Sequence, residues 1–335
     1  MMIILLPPDA YVWLLALGLL LVSVLVFGHA FRSYRRSRHL RLCQLLGPAV
    51  VAVGWCVLLY SAFVDVSCLK VRRIEFVSAD LPPAFDGYRI VQFSDAHVGS
   101  FTGWREAILS TAIDSINAQQ ADMIVFTGDL QNKLSDEIDS KRTLLASLKA
   151  PDGVYSILGN HDYPEYVDVD EQEEPLLLSA TCAAERSLGW TLLCNEHRTL
   201  YRGGDSLVIA GMENDGEGRF PQLGDPVLTL QGLGPQPFIV MLEHDPTSWH
   251  RKILPQTRAQ LTLSGHTHGG QFALFGWSPA SYNFPELGGM YYEGDRALNV
   301  STGLGCVIPL RLGVTPEIVV ITLRLRVCEY ERMRK

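Results

Sequence analysis

Two long apolar runs open the chain. Residues 11–27 are apolar except for Ser23, and a second apolar run covers residues 45–64. Each run, with its flanks, is long enough to cross the hydrocarbon core of a bilayer as a helix. We therefore predict a transmembrane hairpin whose helices lie at about residues 10–30 and 45–65.

Each run has one alternative interpretation. A cleaved signal peptide is the alternative for the first run, but residues 1–10 contain no Lys or Arg, so the basic start typical of such peptides is missing. A buried core helix is the alternative for the second run, and the length of that run makes this interpretation less favourable. The hairpin therefore predicts a membrane anchor at residues 1–70.

The charge between the two runs predicts the orientation of the anchor. Lys70, Arg72 and Arg73 follow the second run, whereas five arginines separate the two runs. Short loops rich in Lys and Arg stay in the cytoplasm, so the rest of the chain is expected outside it, at the cell (inner) membrane. The five arginines are Arg32, Arg35, Arg36, Arg38 and Arg41.

From residue 71 the pattern changes to that of a soluble domain, predicted to cover residues 71–335. Short apolar runs alternate with amphipathic segments, which is typical of an α/β fold with right-handed βα crossovers. The predicted strands are residues 88–93, 122–126 and 154–158, and the predicted helices are 104–119 and 136–148. Further strand-like runs, which predict a second sheet packed on the first, lie at residues 207–210, 238–242, 261–263, 298–301 and 318–325.

Five polar motifs follow apolar runs, at the points where strands are expected to end. In open α/β sheets this end of the strands is where ligands bind. A single strand-end Asp or His is usually a turn former or an ordinary surface or core side chain. Imidazoles and carboxylates repeated at five such ends instead favour a site for divalent metals. The motifs are Ser94-Asp95-Ala96-His97, Gly128-Asp129, Gly159-Asn160-His161-Asp162, Glu243-His244-Asp245 and Gly265-His266-Thr267-His268.

These five motifs, in this order, resemble those of the calcineurin-like metallophosphoesterases. The resemblance covers about residues 88–323, and residues 305–321 together with Gly269-Gly270-Gln271 resemble the membrane-associated bacterial phosphodiesterase branch. The resemblance implies an α/β fold of two packed mixed β-sheets flanked by helices, with a dinuclear metal centre at the strand ends. In such centres two ions about 3.5–4 Å apart share a carboxylate and a hydroxide that attacks phosphorus in line.

The resemblance also implies a role for each motif residue. Mn, Fe and Zn all suit the implied donor set, so the identity of the two divalent ions stays open. The implied ligands are Asp95, His97 and His268 for the first ion, Asn160, His244 and His266 for the second, and Asp129 as the bridge between both.

His161 resembles the family's histidine that contacts the phosphoryl group and protonates the leaving oxygen. Relatives often carry a carboxylate three residues after the bridging Asp, where it orients this histidine, but the chain has Asn132 there. An amide carries no charge and would stabilise an imidazolium less. Asp162 is the candidate for part of that orienting role.

The resemblance implies a membrane-tethered, metal-dependent hydrolase, with a phosphodiester as the favoured substrate. Two alternatives stay open: a UDP-2,3-diacylglucosamine pyrophosphohydrolase of lipid A synthesis, and a catalytically silent metal-binding membrane scaffold. The first would use a lipid-linked pyrophosphate made in the cytoplasm, which conflicts with the orientation favoured above. An aromatic segment after His268 either lines an acyl-chain groove or packs over the site; its members are Phe272, Phe275, Trp277, Tyr282, Phe284, Tyr291 and Tyr292.

Composition excludes several other classes. The formal charge of −8 argues against a nucleic-acid-binding surface, and the seven cysteines include no Cys-x-x-Cys pair typical of zinc ribbons or thioredoxins. Cys182 and Cys194 either form one disulfide or remain two thiols. The acidic residues 168–174 lack the glycine and final Glu of a calcium loop, so a solvated insertion is favoured.

The first prediction concerns membrane orientation. Reporter domains fused after Val66 and at Lys335 should both report an extracytoplasmic location, because the arginine-rich loop is expected to stay inside. Paired phosphatase and fluorescent-protein fusions measure this in cells. A cytoplasmic signal from both fusions would reverse the orientation and remove the objection to the lipid A alternative.

Overall fold

Two long helices precede two six-stranded β-sheets in the computed structural model, which describes residues 7–36, 41–234 and 236–326. The helices are α1 (Pro8–Arg36), α2 (Arg41–Leu59), α3 (Glu106–Ala118), α4 (Asp136–Asp139), α5 (Arg142–Leu145), α6 (Glu174–Arg186), α7 (Pro226–Thr229) and α8 (Leu254–Gln256). The strands are β1 (Lys70–Ser78), β2 (Arg89–Phe93), β3 (Met123–Thr127), β4 (Val154–Ile157), β5 (Thr191–Leu192), β6 (Glu196–Arg202), β7 (Asp205–Gly211), β8 (Phe238–Leu242), β9 (Leu261–Ser264), β10 (Gly289–Glu293), β11 (Arg296–Val300) and β12 (Glu317–Leu325).

Helices α1 and α2 pack against each other in opposite directions. A Cβ atom on Gly54 would lie 3.3 Å from Leu19 Cδ1, and one on Gly47 would lie 2.9 Å from Val26 Cγ1. Small residues at a helix interface let the backbones approach closely, as they do in helix pairs within membranes. The two glycines therefore support the predicted hairpin.

Both helices have the length and composition of membrane spans. The apolar stretches Pro8–Arg32 and Leu46–Ser67 contain 25 and 22 residues. Beyond Leu59, α2 continues as a π-helix, Tyr60–Val64. The anchor at residues 1–70 stays a prediction, and part of its basic loop, residues 37–40 with Arg38, lies outside the described residues.

Each sheet contains both parallel and antiparallel neighbours. The first sheet has the order β1-β12-β2-β3-β4-β5, and the second has the order β10-β11-β9-β8-β7-β6. Strand β12 runs antiparallel to β2, while β2, β3, β4 and β5 are parallel. In the second sheet β7, β8, β9 and β11 are parallel, with antiparallel strands at both edges. The predicted fold of two mixed sheets flanked by helices is confirmed.

One hydrophobic core lies between the two sheets. Val125 and Ile157 from the first sheet belong to one buried cluster with Val240 and Leu263 from the second. On the outer face of the first sheet, Ile113 of α3 belongs to a separate cluster. Because β2, β3 and β4 are parallel, as are β8 and β9, their carboxyl ends lie at common edges of the two sheets. The loops that follow these five strands are therefore brought together.

The strands that the sequence pattern did not predict all lie at sheet edges: β1, β5, β6 and β10. Edge strands carry charged and polar side chains that blunt further pairing, so they lack the continuous apolar runs of central strands. Strand β1, with the sequence KVRRIEFVS, shows this pattern.

The helix predicted at residues 136–148 is wrong in its continuity, because two short helices occupy that region. They are interrupted at Lys141, whose φ of −113° and ψ of 0° leave the helical range.

The described residues decide two questions that the sequence left open, the nature of the acidic segment and the state of two cysteines. The acidic side chains of residues 168–174 are exposed and precede α6, as expected for a solvated insertion. Cys182 and Cys194 are free thiols, both of intermediate exposure.

Candidate metal centre

The predicted ligands lie on the five loops that follow β2, β3, β4, β8 and β9. Their side chains converge from both sheets, and each is buried or mostly buried. Asp95 and His97 follow β2, Asp129 follows β3, Asn160 follows β4, His244 follows β8, and His266 and His268 follow β9.

Five of the seven predicted ligands have a left-handed backbone. Such φ values are uncommon for residues other than glycine, and each persists only where the surrounding structure enforces it. Backbone hydrogen bonds from Asp95 N to Gly128 O (2.9 Å) and from His97 N to Asp129 O (3.1 Å) contribute to that enforcement. The φ values are 49° at Asp95, 45° at His97, 63° at Asp129, 71° at His266 and 50° at His268.

Glycines allow these loops to approach one another. A Cβ atom on Gly159 would lie 2.5 Å from Asp129 N and 2.8 Å from His244 Cε1. A Cβ atom on Gly265 would overlap Ser94 Oγ. Any side chain at these two positions would push the ligand loops apart, which explains the glycines that flank the motifs.

Asp162 ties the β3 and β4 loops together instead of orienting His161. Its buried carboxylate accepts hydrogen bonds from the backbone N–H groups of Asp129 (2.8 Å), Leu130 (2.9 Å) and Gly159 (2.8 Å). Such multiple acceptance satisfies a buried carboxylate and fixes the donors in place. The role suggested for Asp162 beside His161 is therefore wrong.

Asp129 lies between two histidines. Its Oδ2 atom is 3.5 Å from His97 Nε2 and 3.4 Å from His244 Nε2. Neither Nε2 atom has a hydrogen-bond partner among the described residues, although both are fully buried. His244 Nδ1 lies 2.7 Å from Thr127 O, so Nδ1 carries a proton and Nε2 is the ring nitrogen that faces Asp129. Unpartnered buried nitrogens beside a carboxylate fit a cation between them.

Asp95 lies close to His268 and to Asp129. His268 Nε2 is 3.6 Å from Asp95 Oδ1. Asp95, His97 and His268 each offer one ligand atom within 4.8 Å of the others, and the same holds for Asp95, Asp129 and His244. The first group is the donor set predicted for the first ion.

Asn160 and His266 face a common point. His266 Nδ1 and Asn160 Oδ1 are 2.8 Å apart, and the Asn160 amide nitrogen donates to the Tyr166 hydroxyl at 2.7 Å. The latter bond turns the amide so that its oxygen faces the centre. The other ring nitrogen of His266, Nε2, lies 3.5 Å from Asp245 Oδ2. A carboxylate behind a ligating histidine fixes its tautomer and raises its basicity.

His161 is held beside the ligands by its neighbours. Its Nδ1 atom lies 2.8 Å from the backbone carbonyl oxygen of Asn132, and its ring stacks on Tyr166 with centroids 3.9 Å apart. The Asn132 side chain instead donates to Ser100 Oγ at 3.1 Å. Asn132 therefore contacts His161 through its backbone carbonyl oxygen. The expectation that its side-chain amide takes the place of an orienting carboxylate is wrong.

The electrostatics of the cluster suit metal binding. Burial lowers the pKa of His97 to about 3 and also lowers that of His268, which keeps both imidazoles neutral, as ligands must be. Burial raises the pKa of Asp95 to about 7. Although burial opposes it, the charge of Asp129 raises the pKa of His244 to about 10, so positive charge is favoured beside this carboxylate. The donor set therefore fits divalent ions.

A cleft of about 310 Å³ opens onto this cluster. Arg219 is the one cationic side chain among its described lining residues; it is exposed and lies over the ring of Phe220. The sequence did not single out Arg219 or Tyr166, because neither belongs to a motif; Tyr166 ends a short 3₁₀ helix, Pro164–Tyr166, and Arg219 lies in a turn.

Sequence comparison identifies the family and the known proteins to which this chain is similar. Residues 88–270 match the calcineurin-like phosphoesterase family. The uncharacterised metallophosphoesterase YkuE of Bacillus subtilis is 32% identical over 79% of this chain and 89% of its own length. A transmembrane protein with a metallophosphoesterase domain from Danio rerio is 30% identical over 76% of this chain and 57% of its own length. The UDP-2,3-diacylglucosamine pyrophosphatase LpxG of Chlamydia muridarum is 26% identical over 84% of this chain and 96% of its own length.

The second prediction concerns Asp245. Asp245→Asn removes the charge behind His266, so the affinity for the second divalent ion should fall by about 10–100-fold. Metal content after equilibration at graded Mn²⁺ concentrations measures this. Asp295→Asn, at an exposed carboxylate paired with Arg326, is the matched control. An unchanged metal affinity would show that Asp245 does not support His266.

Proposed function

Since this chain belongs to the calcineurin-like phosphoesterase family, we propose that it is a membrane-tethered phosphodiesterase with two divalent metal ions at its catalytic centre. Membership of this family makes the chain a metal-dependent phosphoester hydrolase. The preference for phosphodiester substrates and the roles of individual residues are our proposal. The observation that carries it is Asp129, whose Oδ2 atom lies 3.4–3.5 Å from the free ring nitrogens of His97 and His244. A carboxylate so placed suits a bridge between two ions.

The metal ions, when bound, supply Lewis acidity and a nucleophile derived from water. The proposed ligands are Asp95, His97 and His268 on one side and Asn160, His244 and His266 on the other, with Asp129 shared. The left-handed backbone at five of these seven positions holds the side chains in place before substrate arrives.

His161 is the proposed general acid. A carbonyl oxygen only accepts, so the bond to Asn132 O fixes a proton on Nδ1 and leaves Nε2 for the transferable proton. The stacked Tyr166 ring prevents rotation of the imidazole. Burial lowers the pKa of His161, while the charge of Asp129 and the Asn132 bond oppose that effect and favour the imidazolium.

Arg219 is the proposed contact for the substrate's remaining negative charge. It lies at the rim of the cleft, exposed and without a hydrogen bond or ion pair to another described residue. A guanidinium there attracts a phosphodiester, which keeps one negative charge at neutral pH.

A second candidate activity is pyrophosphate hydrolysis on a lipid-linked nucleotide. The similarity to the chlamydial LpxG, a UDP-2,3-diacylglucosamine pyrophosphatase, favours it. The same two-ion centre serves a diester and a pyrophosphate, because both break a P–O bond by in-line displacement. The catalytically silent scaffold gains no support, because a donor residue occupies every one of the seven predicted ligand positions.

The protein is associated with the membrane, as its two apolar helices and its transmembrane relatives indicate. We further propose that the catalytic domain lies outside the cytoplasm, on the basis of the arginine excess between the helices.

The third prediction tests the metal requirement. Chelation should abolish hydrolysis of bis(p-nitrophenyl) phosphate, and Mn²⁺ or a similar ion should restore it. Asp129→Asn should lower kcat by about 10²–10³-fold or more, because the proposed shared ligand loses its charge. Elemental analysis and initial rates on the same samples measure both effects. Full activity in protein shown to be free of metal would falsify the two-ion centre.

The fourth prediction tests His161 as general acid. His161→Ala should lower kcat for an alkyl phosphodiester by about 10²–10⁴-fold, because the alkoxide must be protonated as it leaves. The loss should be much smaller for bis(p-nitrophenyl) phosphate, whose leaving group is stable without a proton. His250→Ala, at a half-exposed histidine outside the cleft, is the matched control. Equal losses on both substrates would assign His161 to binding instead of proton transfer.

A further inference from the structure

Residues 272–282, which we call the aromatic loop, expose an unusual amount of apolar surface. The side chain of Phe275 is 100% exposed and that of Tyr282 is 84% exposed. Phe272, Leu274 and Trp277 are also exposed, and residues 272–284 contain no charged side chain. Contiguous apolar patches of this kind mark surfaces that contact a partner or a membrane.

The aromatic loop is fixed to the segment at residues 308–313. Ala273 N donates to Leu312 O at 2.7 Å, and Leu312 N donates to Gln271 O at 3.0 Å. The Gln271 side chain also donates to Ile308 O and Leu310 O, both at 2.7 Å. The loop is therefore attached to this segment at several points along its first turn.

The same segment is bonded to the end of the second apolar helix. Arg311 N donates to Ser61 O at 3.2 Å, and Gly313 N donates to Asp65 Oδ2 at 2.7 Å. Leu312, which holds the aromatic loop, lies between these two residues. One stretch of backbone, residues 311–313, is therefore hydrogen-bonded both to the aromatic loop and to the end of the apolar helix.

This end of the helix pair has the features of a membrane boundary. The apolar stretch ends at Ser67, and Tyr60 and Phe63 are half-exposed near its end. Phe63 stacks on Trp104 of the catalytic domain with ring centroids 5.4 Å apart. Aromatic side chains concentrate where the hydrocarbon core of a bilayer meets its headgroups.

The cleft adjoins this segment. Gln271 and Ile308 line it together with His268, so the segment that carries the aromatic loop also forms a wall of the proposed metal centre. We propose that the aromatic loop lies in the bilayer interface beside the two helices and holds the mouth of the cleft at the membrane surface.

A bilayer fits this surface better than a protein partner does. The loop offers apolar and aromatic side chains without the charged groups that give a protein interface its specificity, and residues 311–313 connect it by hydrogen bonds to the end of the second apolar helix. If the proposed function holds, the substrates are phosphoesters whose acyl or similar chains remain in the membrane while the phosphoryl group enters the cleft.

Photocrosslinking tests the membrane contact without requiring activity. Full-length protein in phosphatidylglycerol/phosphatidylethanolamine vesicles carries benzoylphenylalanine in place of Phe275 or Trp277. The matched control is the same replacement at Tyr201, which is 81% exposed on β6, at the edge of the second sheet opposite β10. We expect lipid adducts by mass spectrometry at positions 275 and 277 and none at 201. The absence of lipid adducts at 275 and 277, or adducts with a protein alone, would overturn the proposal.

Kinetics test the substrate class. The double variant Phe275→Ser/Trp277→Ser should lower kcat/KM at least tenfold for a dioleoylglyceryl p-nitrophenyl phosphodiester in vesicles. For bis(p-nitrophenyl) phosphate, which has the same leaving group but is soluble, kcat/KM should change less than twofold. Tyr201→Ser should affect neither substrate.

The outcomes separate the two proposals. Equal rates on the lipid diester with and without the aromatic side chains would overturn the substrate class. A wild-type protein that hydrolyses neither diester would contradict the proposed function, while the crosslinks alone would still decide whether the aromatic loop contacts lipid.

Discussion

The structure depends on keeping two carboxylates, Asp95 and Asp129, fully buried at the meeting point of two sheets. Removing a carboxylate from water is unfavourable unless an opposite charge or several donors compensate. Asp129 Oδ1 accepts a hydrogen bond from the backbone N–H of His161 at 2.8 Å, whereas Oδ2 has ring nitrogens of His97 and His244 at 3.4–3.5 Å. Divalent cations bound at this point would supply the opposite charge that a buried carboxylate favours. The loops, glycines and backbone conformations around the centre serve to hold this unfavourable arrangement in place.

The cost of burying these carboxylates explains why hydrogen bonds and glycines fix the loops around them. Each left-handed residue costs about 1–3 kcal/mol where nothing enforces its conformation. Asp162 alone accepts several backbone N–H groups from the β3 and β4 loops, and Gly159 and Gly265 remove the side chains that would keep the loops apart. The parallel strands beneath provide a common edge from which the loops start. The core between the sheets thereby stabilises the site indirectly.

Regular sequence patterns predicted the central strands and the polar motifs at their ends. They did not predict the direction in which individual side chains point. Central strands such as β8 have continuous apolar runs and were located, whereas the edge strands, whose charged residues interrupt the pattern, were missed. The ligand motifs were recognisable because strand ends carry them. Spacing does not reveal where a side chain points, so the roles of Asn132 and Asp162 were misassigned. Tyr166, which contacts both Asn160 and His161, gave no signal because it lies outside the motifs, at the end of a short 3₁₀ helix.

The metal-binding residues and the residues around the cleft contribute differently to substrate specificity. A two-ion centre at strand ends can serve diesters, monoesters or pyrophosphates, so the donor set does not select a substrate. Selection must come from what surrounds the cleft, which here includes Arg219 and Ile308, the first residue of the segment at residues 308–313. That segment is bonded both to the apolar helix, at Ser61 and Asp65, and to the aromatic loop. The same stretch of backbone is therefore hydrogen-bonded both to the end of the second apolar helix and to Gln271, which lines the cleft.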